Sequence, residues 1–199
     1  MSYYSLKLIN RAVKSKGYSF FTGKNYDVNV IGVRRNRSND ITNVFDDVLT
    51  ISYRGSNGKW NYHEYKATTD PGKHWMNHPL NSDGTAILVP GQYRSSYKIA
   101  LHQGKYEALC QRKPVKVYRD NDLDNEYDLD PDTIQNGLFG INIHRSNPYS
   151  ESYYVNKWSA GCQVFKRVSD FDRFMGILHN AASFYGNSFT YTLINHRDI

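Results

Sequence analysis

Short runs of alternating apolar and polar residues, separated by turn residues, constrain this sequence more than any other feature. The runs DVLTISY (47–53) and WNYHEYK (60–66) flank RGSNGK, a spacing that predicts a β-hairpin. The segment 67–85 is polar and contains Pro and Gly, which predicts a long loop. Further short strands are indicated at 26–33, 86–89, 97–103, 106–111, 115–118, 138–144 and 189–194.

Two segments have helical spacing instead. Over 3–16, apolar side chains recur every three or four residues, and Gly17 predicts the end of a helix. Over 171–182, a second apolar face follows a predicted N-cap at Ser169 and stops before Gly186. The chain is therefore predicted to have an α+β, β-dominated fold without internal repeats.

Length and composition indicate a folded protein. The chain has 199 residues, of which 39% are hydrophobic, enough for one domain with a substantial core. We expect a helix and strand extension at 1–44 and a main domain at 45–199, packed as one compact unit. No stretch has the length of a membrane helix, and the first residues lack the apolar core of a secretory signal. These features predict cytoplasmic synthesis without a signal peptide and no membrane anchor.

The formal net charge of +6 favours an anionic partner, such as nucleic acid, a membrane surface or a cell-wall polymer. Nucleic-acid binding usually requires basic residues clustered on one face, and here they are scattered along the sequence. No nucleic-acid-binding motif is recognisable either. Nucleic acid is therefore not the expected partner, although a basic nucleic-acid-binding protein stays open as an alternative.

The two cysteines are too few for a disulfide scaffold, and they differ in context. Cys110 lies in a predicted strand and is interpreted as a small buried hydrophobic residue. Cys162 follows a Ser-Ala-Gly turn, and His144 ends another predicted strand. A neighbouring imidazole can accept the proton of a thiol and make it a nucleophile. Cys162 and His144 are thus a candidate nucleophile and base.

The residues before Cys162 suit such a site. Gly161 allows a tight turn that exposes backbone N–H groups, as an oxyanion hole requires. Ser159 can orient the site through its hydroxyl or its carbonyl. The alternative interpretation is a packed cysteine and an unrelated surface histidine.

This segment resembles the signature of the L,D-transpeptidase (YkuD-like) catalytic domain family, in which a His and a loop precede Ser/Thr-His-Gly-Cys. Here fourteen residues separate His144 from Ser159-Ala160-Gly161-Cys162, and the resemblance covers about 45–195. It implies a β-sandwich with flanking helices. Ala160 replaces the family's second His, and Gln163 and Val164 depart from its usual following residues, which indicates a divergent branch. The form SAGCQVF is similar to wall-lytic proteins of bacteriophage origin.

The resemblance implies that Cys162 attacks an amide carbonyl in a peptidoglycan stem peptide while His144 takes the thiol proton. Water or an amine then accepts the acyl group, and neither a cofactor nor a metal is needed. Arg145 would bind a stem-peptide carboxylate, and Ala160 and Gln163 would lie at substrate contacts. Such a protein would act on the cell wall, after release by lysis if a phage encodes it. An inactive wall-binding module on the same fold is the alternative, motivated by the loss of the second His at Ala160.

Two other constellations contain metal-binding residue types. HWMNH (74–78) has two histidines at helical spacing, but lacks the Glu of a zinc-protease motif. DNDLDNEYDLDPD (120–132) has carboxylates at alternate positions without the Gly and Glu of an EF-hand, which leaves a shortened calcium turn or a solvated loop. A zinc site formed by His144, Cys162 and His196 lacks any local support.

Overall fold

The computed structural model describes residues 3–35 and 39–199. Strands dominate it, and the described residues also form three α-helices and two short 3-10 helices, at Pro131–Thr133 and His196–Asp198. This confirms the predicted α+β, β-dominated class. The strands are β1 Asn29–Arg34, β2 Asp47–Arg54, β3 Trp60–Thr68, β4 Thr85–Leu88, β5 Gly91–His102, β6 Tyr106–Gln111, β7 Val115–Asp120, β8 Gln135–Gly137, β9 Ile143–Arg145, β10 Gln163–Phe165 and β11 Phe189–Asn195. The helices are α1 Leu6–Ser15, α2 Lys73–Asn77 and α3 Val168–Tyr185.

Eight of the described strands close into a barrel in the order β1-β11-β5-β6-β9-β10-β3-β2. The predicted hairpin is confirmed, since β2 and β3 pair antiparallel from Asp47↔Ala67 to Arg54↔Trp60. The sequence led us to expect a sandwich, whereas the main sheet closes on itself because β1 pairs with both β2 and β11. The predicted division after residue 44 does not coincide with a break in the sheet, because β1 is a barrel strand.

A second sheet of three strands, in the order β4-β7-β8, lies outside the barrel ladder. Its strands are all antiparallel, with Leu88 opposite Val117 and Val117 opposite Gln135. Residues of β4 and β7 in this sheet form one wall of a cavity whose other lining includes Cys162.

The long helices cover different parts of the barrel. Helix α1 begins at the N-cap Ser5, ends before Gly17 at φ +74°, and buries Ile9 and Val13 in a cluster with Ile31. Helix α3 packs on β10 through ring contacts between its own phenylalanines and the strand's last residue. Within the described residues, no helix combines the length and the apolar composition needed to span a bilayer.

Local structure departs from the sequence predictions in three places. The run 138–144 is a strand only from Ile143, because Gly140 adopts a φ of +70°. The predicted loop 67–85 contains α2. Helix α3 begins at Val168 with Arg167 as N-cap and no side-chain cap, so the predicted cap at Ser169 is wrong.

Candidate functional site

Cys162 immediately precedes β10, and β10 lies parallel to β9, which contains His144. Val164 of β10 lies opposite His144 of β9, and Cys162 is two residues before Val164. Cys162 lies beside Asn142, the residue before β9. The carbonyl of Asn142 accepts from the N–H of Gln163 at 2.9 Å. The topology thus brings the predicted nucleophile and base onto adjacent strands.

Two hydrogen bonds fix the sulfur of Cys162. Its Sγ donates to the carbonyl of Gly140 at 3.3 Å and accepts from the N–H of Asn142 at 3.5 Å. Within the described residues, no hydrogen bond joins this sulfur to a ring nitrogen of His144. Burial raises the pKa of the Cys162 thiol to about 11, so the resting sulfur is a neutral thiol.

The imidazole of His144 is buried and has a defined orientation. Its Nδ1 lies 2.7 Å from the carbonyl oxygen of Arg145, so Nδ1 carries the proton and Nε2 is the basic nitrogen. The hydroxyl of Tyr106 lies 3.3 Å from the same Nδ1. Burial, and secondarily the neighbouring His102, lower the pKa of His144 to about 3. The expected thiolate–imidazolium pair is therefore a neutral thiol and a neutral imidazole in this structure.

The turn before Cys162 is held by Ser159, whose side chain is fully buried. Ser159 Oγ donates to the carbonyl of Cys162 at 2.7 Å and accepts from the N–H of Gly161 at 3.2 Å. Its carbonyl accepts from the N–H of Gly72 at 2.8 Å, which joins the turn to the segment before α2. Both the hydroxyl and the carbonyl of Ser159 therefore hold the turn before Cys162.

Gly161 allows the chain to make this turn. It adopts a φ of +118°, and a Cβ added there would collide with the carbonyl oxygen of Ala86 in β4. Its N–H is occupied by Ser159 Oγ. In the described part of the chain, the amides of Ala160 and Cys162 have no protein acceptor, which leaves these two N–H groups for an oxyanion.

Cys162 and Ala160 line a cavity of about 520 Å³ between the barrel and the small sheet. The opposite walls come from β4, β7 and the irregular segment 138–142, together with His102 at the end of β5. Arg119 of β7 also lines this cavity. The space is large enough for a short peptide segment.

Two residues expected at substrate contacts lie elsewhere. Arg145 stacks its guanidinium over the ring of Tyr106 at 4.0 Å and lines a different cleft, beside α3. Gln163 is fully buried and bridges the barrel interior, since its Oε1 accepts from Tyr191 Oη at 2.8 Å and its Nε2 donates to Gly161 O at 3.2 Å. A substrate in the cavity would contact Ala160, whereas Gln163 supports the turn from behind.

The sequence did not identify three residues that the structure places at the site. His102 stacks on His144, Asn142 links Cys162 to His102 through a 3.0 Å contact with Nδ1 of that ring, and Arg119 lines the cavity. His102 and Arg119 each lie at the end of a predicted strand, as His144 does. That position was the available signal, but strand order is needed to bring the ends together.

The candidate metal ligands stay apart from this cavity chemistry. Among the residues that the structure describes, His74 and His78 stack at 4.8 Å and belong to no group of three metal-binding side chains, and Nδ1 of His196 lies 2.8 Å from Tyr4 Oη. Within the described residues, one group of three such side chains converges: the carboxylates of Asp120, Asp122 and Asp128 lie within 4.8 Å of one another. Burial, and secondarily the charges of Asp128 and Asp122, raise the pKa of Asp120 to about 6.

Comparison with protein families, with curated proteins and with solved structures finds no match to this chain.

Proposed function

We propose that this protein is a cysteine-dependent acyl-transfer enzyme acting on peptidoglycan stem peptides, with Cys162 as nucleophile and His144 as base. The observation that supports it is the placement of Cys162 at a cavity, one strand away from a buried imidazole whose Nε2 has no hydrogen-bond partner among the described residues. The resemblance of the His144 to Cys162 segment to L,D-transpeptidases supplies the substrate class.

In the proposed first step, Sγ of Cys162 bonds to the amide carbonyl carbon and the thiol proton passes to Nε2 of His144. Because burial disfavours both the thiolate and the imidazolium, this proton moves as the sulfur attacks. The amides of Cys162 and Ala160 stabilise the oxyanion of the tetrahedral intermediate. When the carbon–nitrogen bond breaks, His144 returns the proton to the departing amine.

The acyl-enzyme then reacts with water, which gives hydrolysis, or with an amine, which gives transpeptidation. In both cases His144 takes a proton from the incoming nucleophile and returns it to the sulfur of Cys162 as the thioester breaks. The net charge of +6 favours residence on an anionic wall polymer. Hydrolysis during lysis is the activity expected of a phage-encoded protein of this kind.

An inactive cell-wall-binding module is the second candidate, and a specific observation favours it. The sulfur of Cys162 is hydrogen-bonded to backbone groups, and burial raises the pKa of its thiol to about 11. Ala160 also stands where the similar family has a second His. A protein that had lost catalysis could keep the barrel and the cavity.

Digestion of purified Gram-negative peptidoglycan, read by mass spectrometry of the muropeptides, decides between the two. Wild type is compared with Cys162→Ala and His144→Ala, and Cys110→Ala is the matched control because Cys110 lies in β6 outside the cavity lining. We expect new stem-peptide products from wild type and the control, and none from the two site variants. Wall binding by all four proteins without any product would reject the enzyme and favour the module.

A further inference from the structure

Arg119 is a cation whose side chain is fixed in place by neutral groups. Its Nε donates to Gln135 Oε1 at 2.8 Å and its Nη1 donates to the carbonyl of Gly84 at 3.0 Å. Its guanidinium also lies 4.9 Å from the ring centre of Phe139. These contacts hold the planar group on one wall of the small sheet, and its other N–H donors have no partner among the described residues.

The charge of this guanidinium is not neutralised by an ion pair with any residue that the structure describes. Within residues 3–35 and 39–199, no carboxylate lies within ion-pair distance of it. Burial lowers the pKa of Arg119 and the charge of Asp83 opposes this, but the Asp83 carboxylate accepts from Gln135 Nε2 at 2.9 Å. A half-buried arginine that is positioned but not neutralised favours binding of an external anion.

The location of Arg119 specifies which anion fits. Arg119 lines the same cavity as Cys162, whereas Arg145, the carboxylate-binding residue expected from the sequence, lines a separate cleft. The cavity has mixed walls and admits a peptide chain, and a planar guanidinium matches a carboxylate in bidentate geometry. Arg119 and the proposed nucleophile therefore line one cavity, which a single peptide could fill.

We propose that Arg119 binds a carboxylate of the acyl-donor peptide and directs its neighbouring amide carbonyl to Cys162. The substrate class is then an acidic peptide, with a free carboxylate close to the amide that is cleaved. This inference rests on the proposed function for its substrate, but carboxylate capture beside Cys162 can be measured without turnover.

The probe is a pair of alkylating reagents of similar size. Iodoacetate carries a carboxylate, and iodoacetamide carries a neutral amide in its place. Each transfers its CH₂ carbon to the sulfur of Cys162 as iodide leaves. Both alkylation rates at Cys162 are measured by peptide mass spectrometry, and the iodoacetate rate is divided by the iodoacetamide rate. This ratio is then normalised by the same ratio for free cysteine at the same pH. The variants are Arg119→Gln and Arg119→Lys. Arg94→Gln is the matched control, because Arg94 also stacks over a phenylalanine ring, at 5.2 Å, but lines another cavity.

We expect a normalised ratio above one in wild type and in Arg94→Gln, an intermediate ratio in Arg119→Lys, and a fall of about tenfold in Arg119→Gln. Arg119→Lys keeps the charge and guards against a folding defect in the Gln variant. A wild-type ratio of one, a failure of both reagents to reach Cys162, or an equal ratio in Arg119→Gln would overturn the proposal. So would a fall caused by Arg145→Gln and not by Arg119→Gln.

A second arm identifies the carboxylate and separates this inference from the proposed function. The peptide L-Ala-γ-D-Glu-L-Lys-D-Ala is compared with its two single carboxamides, at the glutamyl α-carboxylate and at the C-terminus, by calorimetric titration of Cys162→Ala. If one carboxamide peptide binds Cys162→Ala more weakly than the parent peptide, the carboxylate replaced in that peptide is the bound group. Adding Arg119→Gln to Cys162→Ala should weaken binding of the parent peptide to the same extent. Equal affinity for all three peptides would contradict carboxylate recognition even if wild type cleaves the wall. A wall left uncut, together with an Arg119-dependent alkylation ratio, would reject the function and keep the anion site.

Discussion

His102 and His144 stack face to face, with ring centroids 4.2 Å apart and planes inclined by 20°. His102 lies at the end of β5 and lines the cavity, whereas His144 is buried behind it on β9. Two imidazoles at this separation oppose each other's protonation. The stack therefore adds to burial, the larger cause, in keeping the proposed base neutral, with Nε2 able to accept a proton.

Replacement of His102 by Phe should raise the pKa of His144. The phenyl ring keeps the stacking surface but removes a second titratable group, while Arg145 and Tyr106 stay beside His144. Since burial is the largest cause of the depressed pKa of about 3, the new value should stay below 6.5. The measurement is an NMR titration of the His144 ring protons, with His179→Phe as control because His179 pairs with Glu107 on the surface. An unchanged titration in His102→Phe would show that the stack has no electrostatic role.

Alkylation of Cys162 by iodoacetamide should accelerate steadily from pH 7 to above pH 10. Burial raises the pKa of this thiol to about 11, so only about one sulfur in ten thousand is thiolate at pH 7. Site-resolved mass spectrometry measures the rate at Cys162 and separates it from Cys110. A rate that levels off below pH 8 would instead indicate a thiolate–imidazolium pair with His144.

The local pattern was sufficient to predict the β-dominated class, the β2–β3 hairpin and the helix that ends before Gly186. Each of these depends on residues close in sequence, whose alternation or helical spacing is visible directly. It was also sufficient to identify Cys162 and His144 as a candidate pair near predicted strand ends, whereas the parallel pairing of β9 with β10 that brings them together depends on strand order.

Barrel closure and the cavity were not predictable in this way. Closure depends on β1 pairing with β11, where Val30 lies opposite Tyr191, a contact between the two ends of the chain. Arg119 and His102 reach the cavity from different sheets, and no local spacing relates them to Cys162. Gln163 was assigned to the substrate because it follows the cysteine, but strand alternation turns its side chain into the barrel.

Ser159→Ala should destabilise the protein and also change the reactivity of Cys162. The buried hydroxyl bonds the carbonyl of Cys162 and the N–H of Gly161, so its loss should cost about 1–3 kcal/mol of unfolding free energy. Ser146→Ala is the matched control, because Ser146 is equally buried and donates to the carbonyl of Lys166 at 3.1 Å. Urea unfolding should show similar losses for both, whereas only Ser159→Ala should alter the iodoacetamide rate at Cys162. Equal rates in the two variants would mean that Ser159 does not position the sulfur.

Gly161→Ala should destabilise the fold by about 1–3 kcal/mol, because the alanine must adopt a φ near +118°. Its Cβ would also press on the backbone of Ala86, which cannot move without disturbing β4. Gly176→Ala in α3 is the control, since a Cβ there meets nothing within 4 Å and helix propensity favours alanine. Thermal unfolding should show a lower midpoint for the first variant and an unchanged or higher midpoint for the second. A Gly161→Ala protein as stable as wild type would indicate that the turn before Cys162 can rearrange.

Asp120→Asn should stabilise the protein at pH 7 and have no such effect at pH 4. Burial and the neighbouring Asp128 and Asp122 raise the folded-state pKa of Asp120 to about 6, above its unfolded value near 3.8. The folded protein therefore binds this proton more tightly, and stability from this group falls as the pH rises from about 4 through 6. Removing the charge should recover on the order of 1 kcal/mol at pH 7, while the amide oxygen can still accept the bond from Asp128 N. Thermal unfolding in chelator at both pH values tests this, with Asp172→Asn, an exposed carboxylate on α3, as control. The same gain at pH 4 and pH 7, or a loss at pH 7, would show that the pKa of Asp120 is not raised in the folded state.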